Sequence, residues 1–336
     1  MNKRPVTIIV TGRNSATTIR QCLESFASQD YPIDRILVFD NNSSDGSQEI
    51  IRAVAKTAQV PVELVDGGPN GCICTSYNRG AKMSTAEVIV ITHSDAVIPT
   101  PHELRKLVEP LFADPDAVAA YPRNLMPRSV WNRFPFWEKF QFVRAVDATA
   151  HSHNAIFDAI RRDAYLKAGG FDEKRFTTTC GFGGEDSDAA LRISRLGKTL
   201  KTEACAVHAH GFPKAYPFSA YAANRALMGR TYGKIIQRQG GLCVASDGLL
   251  VVRPILALLP FFACLFFFAG MVTGLCAVGV TLALQLAFAI LQSRKMFTSR
   301  LTLADPRIVL VIPAQLLMIY WETYWFFHGL LTKPHP

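Results

Sequence analysis

The first 120 residues switch repeatedly between short runs rich in β-branched residues and stretches whose apolar positions recur every three to four residues. Val6–Thr11, Asp34–Phe39, Val62–Val65 and Glu87–Thr92 are apolar runs of strand length. Between them, Ile19, Cys22, Leu23 and Phe26 share one face of a helix expected over Ser15–Ser28, with Asn14 or Ser15 as its cap. Gly46–Ala58 and Cys72–Met83 carry the same helical period. Strands alternating with helices predict an α/β domain whose parallel sheet is covered on both faces.

The pattern then changes character. Over residues 128–146, Trp131, Phe134, Phe136, Trp137, Phe140 and Phe142 interleave with Arg128, Arg133, Lys139 and Arg144. Aromatics mixed with basic residues suit an amphipathic segment lying on a membrane surface; the alternative is a lid that turns its aromatics inward. Gly183–Leu196 reads as a helix opened by glycines, with Asp186, Ala189, Ala190 and Ile193 about one turn apart. From Pro254 to Ser293 there is no Asp, Glu, Lys, Arg or His. A spanning helix takes roughly 20 residues, so two spans are expected, about 254–272 and 274–292, with a tight turn near Gly270–Gly274. Ile308–Leu331 is apolar at first, then carries Glu322, His328 and the aromatics Tyr320, Trp321, Tyr324, Trp325, Phe326 and Phe327. It either spans, with Glu322 near an edge or paired, or lies in the interface. The expected division is a domain over residues 1–245 and a membrane anchor over 249–331.

The net charge of +9 does not indicate nucleic-acid binding, because the basic residues gather beside the apolar segments. Arg225, Arg230, Lys234, Arg238 and Arg253 precede the first, and Arg294, Lys295, Arg300 and Arg307 follow the second. By the positive-inside rule both flanks, and with them the N-terminal domain, are cytoplasmic. Val6–Val10 is too short for a signal-peptide core. The eight cysteines are scattered, Cys72-x-Cys74 being the only close pair, so neither a zinc ribbon nor a disulfide framework is indicated. Gly-x-Gly-x-x-Gly after the first strand and the full Gly-x-x-x-x-Gly-Lys-Ser/Thr are both missing, which removes the main support for dehydrogenase and P-loop readings.

The chemistry sits at the strand ends. Asp40 closes the second strand, and the strand Glu87–Thr92 runs into His93-Ser94-Asp95. In an open parallel sheet ligands bind outside the carboxyl ends of the strands, so both acids point at one crevice, as a nucleotide's ribose and a metal-bound pyrophosphate require. The ordered set extends this. It comprises Val6–Asn14, the Asp40–Gly46 stretch, Asn70-Gly71, Asn78-Arg79-Gly80, His93-Ser94-Asp95, Gly169-Gly170-Phe171-Asp172, Gly183-Gly184-Glu185-Asp186 and His208-Ala209-His210. Over about residues 5–211 the chain resembles the family 2 glycosyltransferases, inverting enzymes of GT-A fold that use nucleotide sugars. The remainder is similar to the membrane anchor of bacterial members that build lipid-linked or exported polysaccharides, such as exopolysaccharide or O-antigen.

The resemblance implies roles. Thr11 and Asp40 would hold base and ribose, with Asn14 and Asn42 close by; Asn78, Arg79 and Ser94 fall where the family approaches the donor. Asp95 corresponds to the last acid of the family's Asp-x-Asp motif, which holds Mg²⁺ or Mn²⁺ on the diphosphate. The first acid is replaced by His93, which would ligate the metal, contact phosphate or stand by. His208 or His210 would be a third ligand or structural. Asp186 corresponds to the catalytic base and Glu185 to its neighbour that orients the acceptor, with Asp188 and Arg192 as support. The Gln-x-x-Arg-Trp of processive synthases is missing, which favours single addition by a hexosyltransferase at the bacterial inner membrane. The expected partners are a nucleotide sugar, a polyprenyl-linked acceptor or polyprenyl phosphate itself, and the membrane, with no nucleic acid. A scaffold that has lost its chemistry is the alternative from a different class.

Overall fold

The computed structural model describes residues 4–68, 71–148, 154–173, 184–209, 215–239 and 249–332. In chain order the elements are β1 (Val6–Gly12), α1 (Ile19–Ala27), β2 (Ile33–Asp40), α2 (Ser47–Thr57), β3 (Val62–Asp66), α3 (Ile73–Met83), β4 (Val88–His93) and β5 (Ala96–Val97). There follow α4 (Glu103–Ala113), β6 (Ala117–Leu125), α5 (Arg128–Trp131), α6 (Phe136–Gln141), β7 (Asp158–Arg161), α7 (Arg162–Lys167), α8 (Glu185–Ser194) and β8 (Lys198–His208). The chain continues through α9 (Phe218–Gln239), α10 (Leu249–Ala263), α11 (Met271–Ser293), α12 (Arg300–Leu303) and α13 (Val311–Leu331).

These fall into two compact units. The first comprises residues 1–127, 147–181 and 185–211; the second comprises 128–146, 182–184 and 212–336. The first is an α/β domain on a sheet of order β3-β2-β1-β4-β7-β6-β8-β5. β1 to β4 are mutually parallel, as expected, but β7 inserts antiparallel between β4 and β6, so the sheet is mixed rather than wholly parallel. The strand alternation is what covers both faces. Val6, Ile8 and Val10 of β1 face one core with α1, α2 and α4, while Ile9 faces the other with Tyr77, Ala81, Ala189 and Ile193. α3 lies close on β1: a Cβ at Gly80 would stand 2.6 Å from Ile9 Cγ2, leaving no room for a side chain.

One helix begins later than its periodicity suggests. α1 starts at Ile19 rather than Ser15 because Asn14 is left-handed (φ 53°) and Ser15 is engaged elsewhere. Its N–H donates to Ser47 Oγ at 2.8 Å, and its hydroxyl bonds Ser94 Oγ at 2.7 Å. Local capping signals lost to loop-to-loop bonds.

In the second unit the segment 128–146 turns its aromatics inward, as the alternative left open by its sequence has it. Trp131, Phe134, Phe136, Trp137 and Phe140 are all buried. Trp137 packs on Phe218 with ring centres 4.8 Å apart, and Phe140 on Tyr221 at 5.0 Å. These rings find apolar partners on α9. α9 groups with α13, whose Gly329 lies against the Arg230 backbone, in the compact unit that resumes at residue 212. Three helical stretches, Val252–Ala269, Met271–Thr298 and Pro306–Leu331, are long and apolar enough to cross a membrane. The first two meet at Gly270, whose φ of 133° suits glycine. Glu322 of the third is paired, not bare, through Arg225 and Arg253.

Candidate active site

Register alone assembles the first part of the site. Thr11 pairs with His93, Gly12 with Asp40, and Asp40 with Asp66, so the carboxyl ends of four parallel strands present these residues side by side. Asp40 is buried, and its Oδ2 accepts from Ser43 N at 3.1 Å and Gln48 Nε2 at 2.7 Å. The Thr11 hydroxyl accepts from Asn41 Nδ2 at 2.9 Å, and Asn41 Oδ1 accepts from Ser76 Oγ at 3.0 Å. Asn41, which sequence reasoning passed over although it directly follows Asp40, is thus the hub between β1, β2 and α3. A Cβ at Gly67 or Gly71 would stand 2.3 or 2.5 Å from its Oδ1, so both positions require glycine for close approach.

The residues expected around the donor divide into two groups. Asn14 clamps loops: its Oδ1 accepts from Ser44 N at 2.9 Å and its N–H donates to Ser43 Oγ at 2.8 Å. Asn42 is exposed and left-handed (φ 66°) in the same turn. Ser94 is buried and locked to Ser15. Arg79 is exposed, donating to the Asp66 and Gly67 carbonyls at 2.8 and 3.1 Å. Asn78 differs from the expectation. Its amide donates to Phe171 O (2.9 Å) and Glu173 Oε1 (2.7 Å) and accepts from Tyr165 Oη (2.7 Å) and Phe171 N (2.9 Å). All four of its bonding positions are filled by protein, which makes it a brace for the Gly169–Glu173 turn.

β5 builds the second part. After His93 the chain turns through Ser94 and Asp95, and the short strand Ala96–Val97 pairs antiparallel with the end of β8, Ala96 opposite His208. That register delivers His208 Nε2 to within 2.9 Å of Asp95 Oδ2, and Ala209 N donates to Asp95 O at 2.7 Å. The His93 ring meets the His208 ring edge-on at 6.0 Å and stacks on Tyr77 at 6.4 Å. One ligand atom each from His93, Asp95 and His208 lies within 4.8 Å of the others. Two ligands of one divalent ion, each roughly 2.1 Å from it, stand up to about 4.2 Å apart, so the trio is gathered to near the spacing a single ion requires and needs a small side-chain adjustment to close on it. Burial pulls His93 down to about 4, so its imidazole is neutral at physiological pH, the form that ligates metal. His210, like Asn70 and Gly183, lies outside the described residues.

The third part is α8. Ala189 and Ile193 seat it in the core on the sheet face, and the buried Asp188 pairs with Arg192 at 2.9 Å, which also donates to Ala168 O. Glu185 and Asp186 stand in its first turn, where the helix dipole favours negative charge. Glu185 is buried; Asp186 is half-buried and its Oδ1 accepts from Ser187 N at 2.6 Å. Glu185 lies near the start of α3: the Cys74 thiol is pushed up by its hydrogen bond with Cys72, by burial and by the Glu185 charge.

Residues 7–166 match Glycosyl transferase family 2, to which this part of the chain is similar. Over 100 residues it is 30% identical to Glycosyltransferase AglE of Haloferax volcanii, covering 29% of this chain and 32% of that protein. The chain spans about a third of the length of the curated relatives it matches. A mannosyltransferase from Pyrobaculum calidifontis, solved with GDP-Man and Mn²⁺, is 22% identical with a TM-score of 0.55, covering 97% of this chain and 88% of that one. GalNAc-T7, solved with UDP, GalNAc and Mn²⁺, is 14% identical with a TM-score of 0.51, covering 70% of this chain and 48% of that one. The α/β unit is therefore of GT-A type.

Proposed function

We propose that this protein is a membrane-anchored, inverting glycosyltransferase that moves a sugar from a nucleotide-sugar donor to a lipid-linked acceptor at the cytoplasmic face of the bacterial inner membrane. The observation that carries the reading is the convergence of His93, Asp95 and His208 beside Asp40 and Asp66, at strand ends of the unit that is similar to family 2. The solved relatives with Mn²⁺ support a divalent ion held by that trio. Such an ion, Mg²⁺ or Mn²⁺, supplies positive charge to the diphosphate leaving group. Asp40 would take the ribose, with Thr11, Asn42, Arg79 and Ser94 lining the donor side.

Asp186 is the group assigned to the proton. As an acceptor hydroxyl attacks the anomeric carbon and the bond to the diphosphate breaks, the hydroxyl proton passes to the Asp186 carboxylate. Buried Glu185, its neighbour at the head of α8, would orient the acceptor. The two long apolar helices and α13 would hold the enzyme where its lipid substrate resides.

The test is donor turnover by the full-length protein in nanodiscs, across a panel of nucleotide sugars with Mn²⁺ and bacterial lipid extract, following nucleoside diphosphate release. Lipid-dependent release from one donor, lost in Asp186→Asn while nucleotide binding stays within about twofold, is the expected result. Near-normal rates in that variant would remove Asp186 from its role. Silence across the panel together with no nucleotide binding would favour a scaffold.

A further inference from the structure

The second unit carries a buried charge cluster that the transferase chemistry does not use. Glu322 of α13 accepts from Arg225 of α9, Nε to Oε1 at 2.7 Å and Nη2 to Oε2 at 2.8 Å, and from Arg253 Nη1 of α10. Arg253 is 5% exposed and Glu322 3%. Arg144 stands close enough for its charge to act on Arg253. Two buried guanidinium groups thus share one carboxylate, an excess of one positive charge, with the exposed Arg144 adding a third guanidinium near Arg253.

Unbalanced charge of this size is expensive to bury. A structural ion pair needs one cation per carboxylate, and the bidentate Arg225 already meets that need. Arg253 is the surplus: its Nε is buried and has no hydrogen-bond partner among the described residues. Arg144 is exposed and has no ion-pair partner among them. What Arg253 and Arg144 lack is an anion with several acceptor oxygens, which is the chemistry of a phosphate.

The surroundings choose between kinds of phosphate. One turn beyond Arg253, Leu256 and Ala257 join Phe288 and Ile319 in an apolar cluster, and the Arg253 guanidinium lies 5.8 Å from the Phe288 ring centre. Beyond that, Phe261, Phe262, Leu265 and Phe268 are exposed along the same apolar stretch. A cationic cluster set directly against exposed apolar helices matches an amphiphile with a phosphate head, as in basic lipid-headgroup sites between membrane helices. We infer that Arg144, Arg225 and Arg253 form a binding site for the phosphate of a single-chain lipid, with Glu322 holding two of the arginines in place. The inference rests on the transferase reading only in making that lipid the acceptor.

The probes are undecaprenyl phosphate, the neutral undecaprenol and inorganic phosphate, each titrated into the full-length protein in detergent and followed by native mass spectrometry. Saturable one-to-one binding of undecaprenyl phosphate is expected, about fivefold or more weaker in Arg144→Gln and Arg253→Gln, at roughly 1 kcal/mol per arginine. Undecaprenol binding as tightly as the phosphate, or unchanged affinity in both arginine variants, would overturn the site. Inorganic phosphate binding as tightly as the lipid would overturn the lipid assignment in favour of a free anion. Because Arg144 is exposed, its variant remains informative if Arg253→Gln fails to fold. Nucleotide with Mn²⁺, titrated into the same samples, reports the transferase site separately: its failure in the wild type would sink the transferase reading and leave the lipid result standing.

Discussion

Replacing Asn78 by alanine separates a structural brace from a donor-binding residue. The substitution deletes four hydrogen bonds of 2.7–2.9 Å at a side chain that is 9% exposed. It leaves the buried Tyr165 hydroxyl and the Phe171 N–H and C=O without the partners they have now. Net losses of about 1 kcal/mol per bond, plus the cost of stranding buried polar groups, give roughly 3–5 kcal/mol. For a unit of this size that is a fall of about 6–20 °C in apparent Tm. The loss is structural in origin, because every group the side chain now bonds belongs to Tyr165, Phe171 or Glu173 of the protein itself. The assay is a thermal melt of wild type and Asn78→Ala in the same detergent, paired with nucleotide titration well below either melting temperature. An unchanged Tm together with a tenfold or greater loss of nucleotide affinity would refute the brace and restore Asn78 to the donor site.

Other outcomes follow from individual groups. Asp95→Ala should weaken Mn²⁺ binding at least about tenfold by titration calorimetry, and His93→Ala should do the same if His93 is a ligand; full affinity in His93→Ala would make it a bystander. Glu138 is buried, its Oε2 has no hydrogen-bond partner among the described residues, and burial pushes it up to about 7. The fold therefore favours the neutral carboxyl and loses stability as pH rises from the ordinary 4.5 through 7. Glu138→Gln should stabilise by up to roughly 3 kcal/mol at pH 8 and by little at pH 4; an equal gain at both would refute the titration. Cys72 is pulled down to about 5, first by its hydrogen bond from Cys74. Iodoacetamide should modify it ahead of Cys264 and Cys276, at a rate nearly flat from pH 6.5 to 9 by the roughly complete thiolate formation this implies; a rate climbing steeply through pH 8.5 would refute it.

Much of the first unit was legible because its signals are local. The period-2 and period-3.6 runs of residues 6–93 mark β1 to β4 and α1 to α3 to within a few residues, and only α1 started late. Asp40 and His93-Ser94-Asp95 could be placed at strand ends for the same reason. Asn78 and Asn14 were recognisable as special but not by their use, because their partners lie up to 95 residues away. Asn41 offered only adjacency to Asp40.

By itself the sequence determined the parallel half of the sheet, the acids at its carboxyl edge and the forty-residue uncharged run, each set by neighbours within a few turns. Tertiary structure decided the rest. The two-residue strand Ala96–Val97 carries too little periodicity to be seen, yet its pairing with β8 brings His208 to Asp95 across 113 residues. The aromatics of 128–146 suited water-edge lipid and protein core equally by composition, and only the apolar face of α9 resolved them inward. Glu322 looked unaffordable in an apolar helix until α9 and α10 brought Arg225 and Arg253 to it. Local periodicity is written into consecutive residues, whereas the partner of a buried polar group is chosen by how distant elements pack, and no window of sequence contains both.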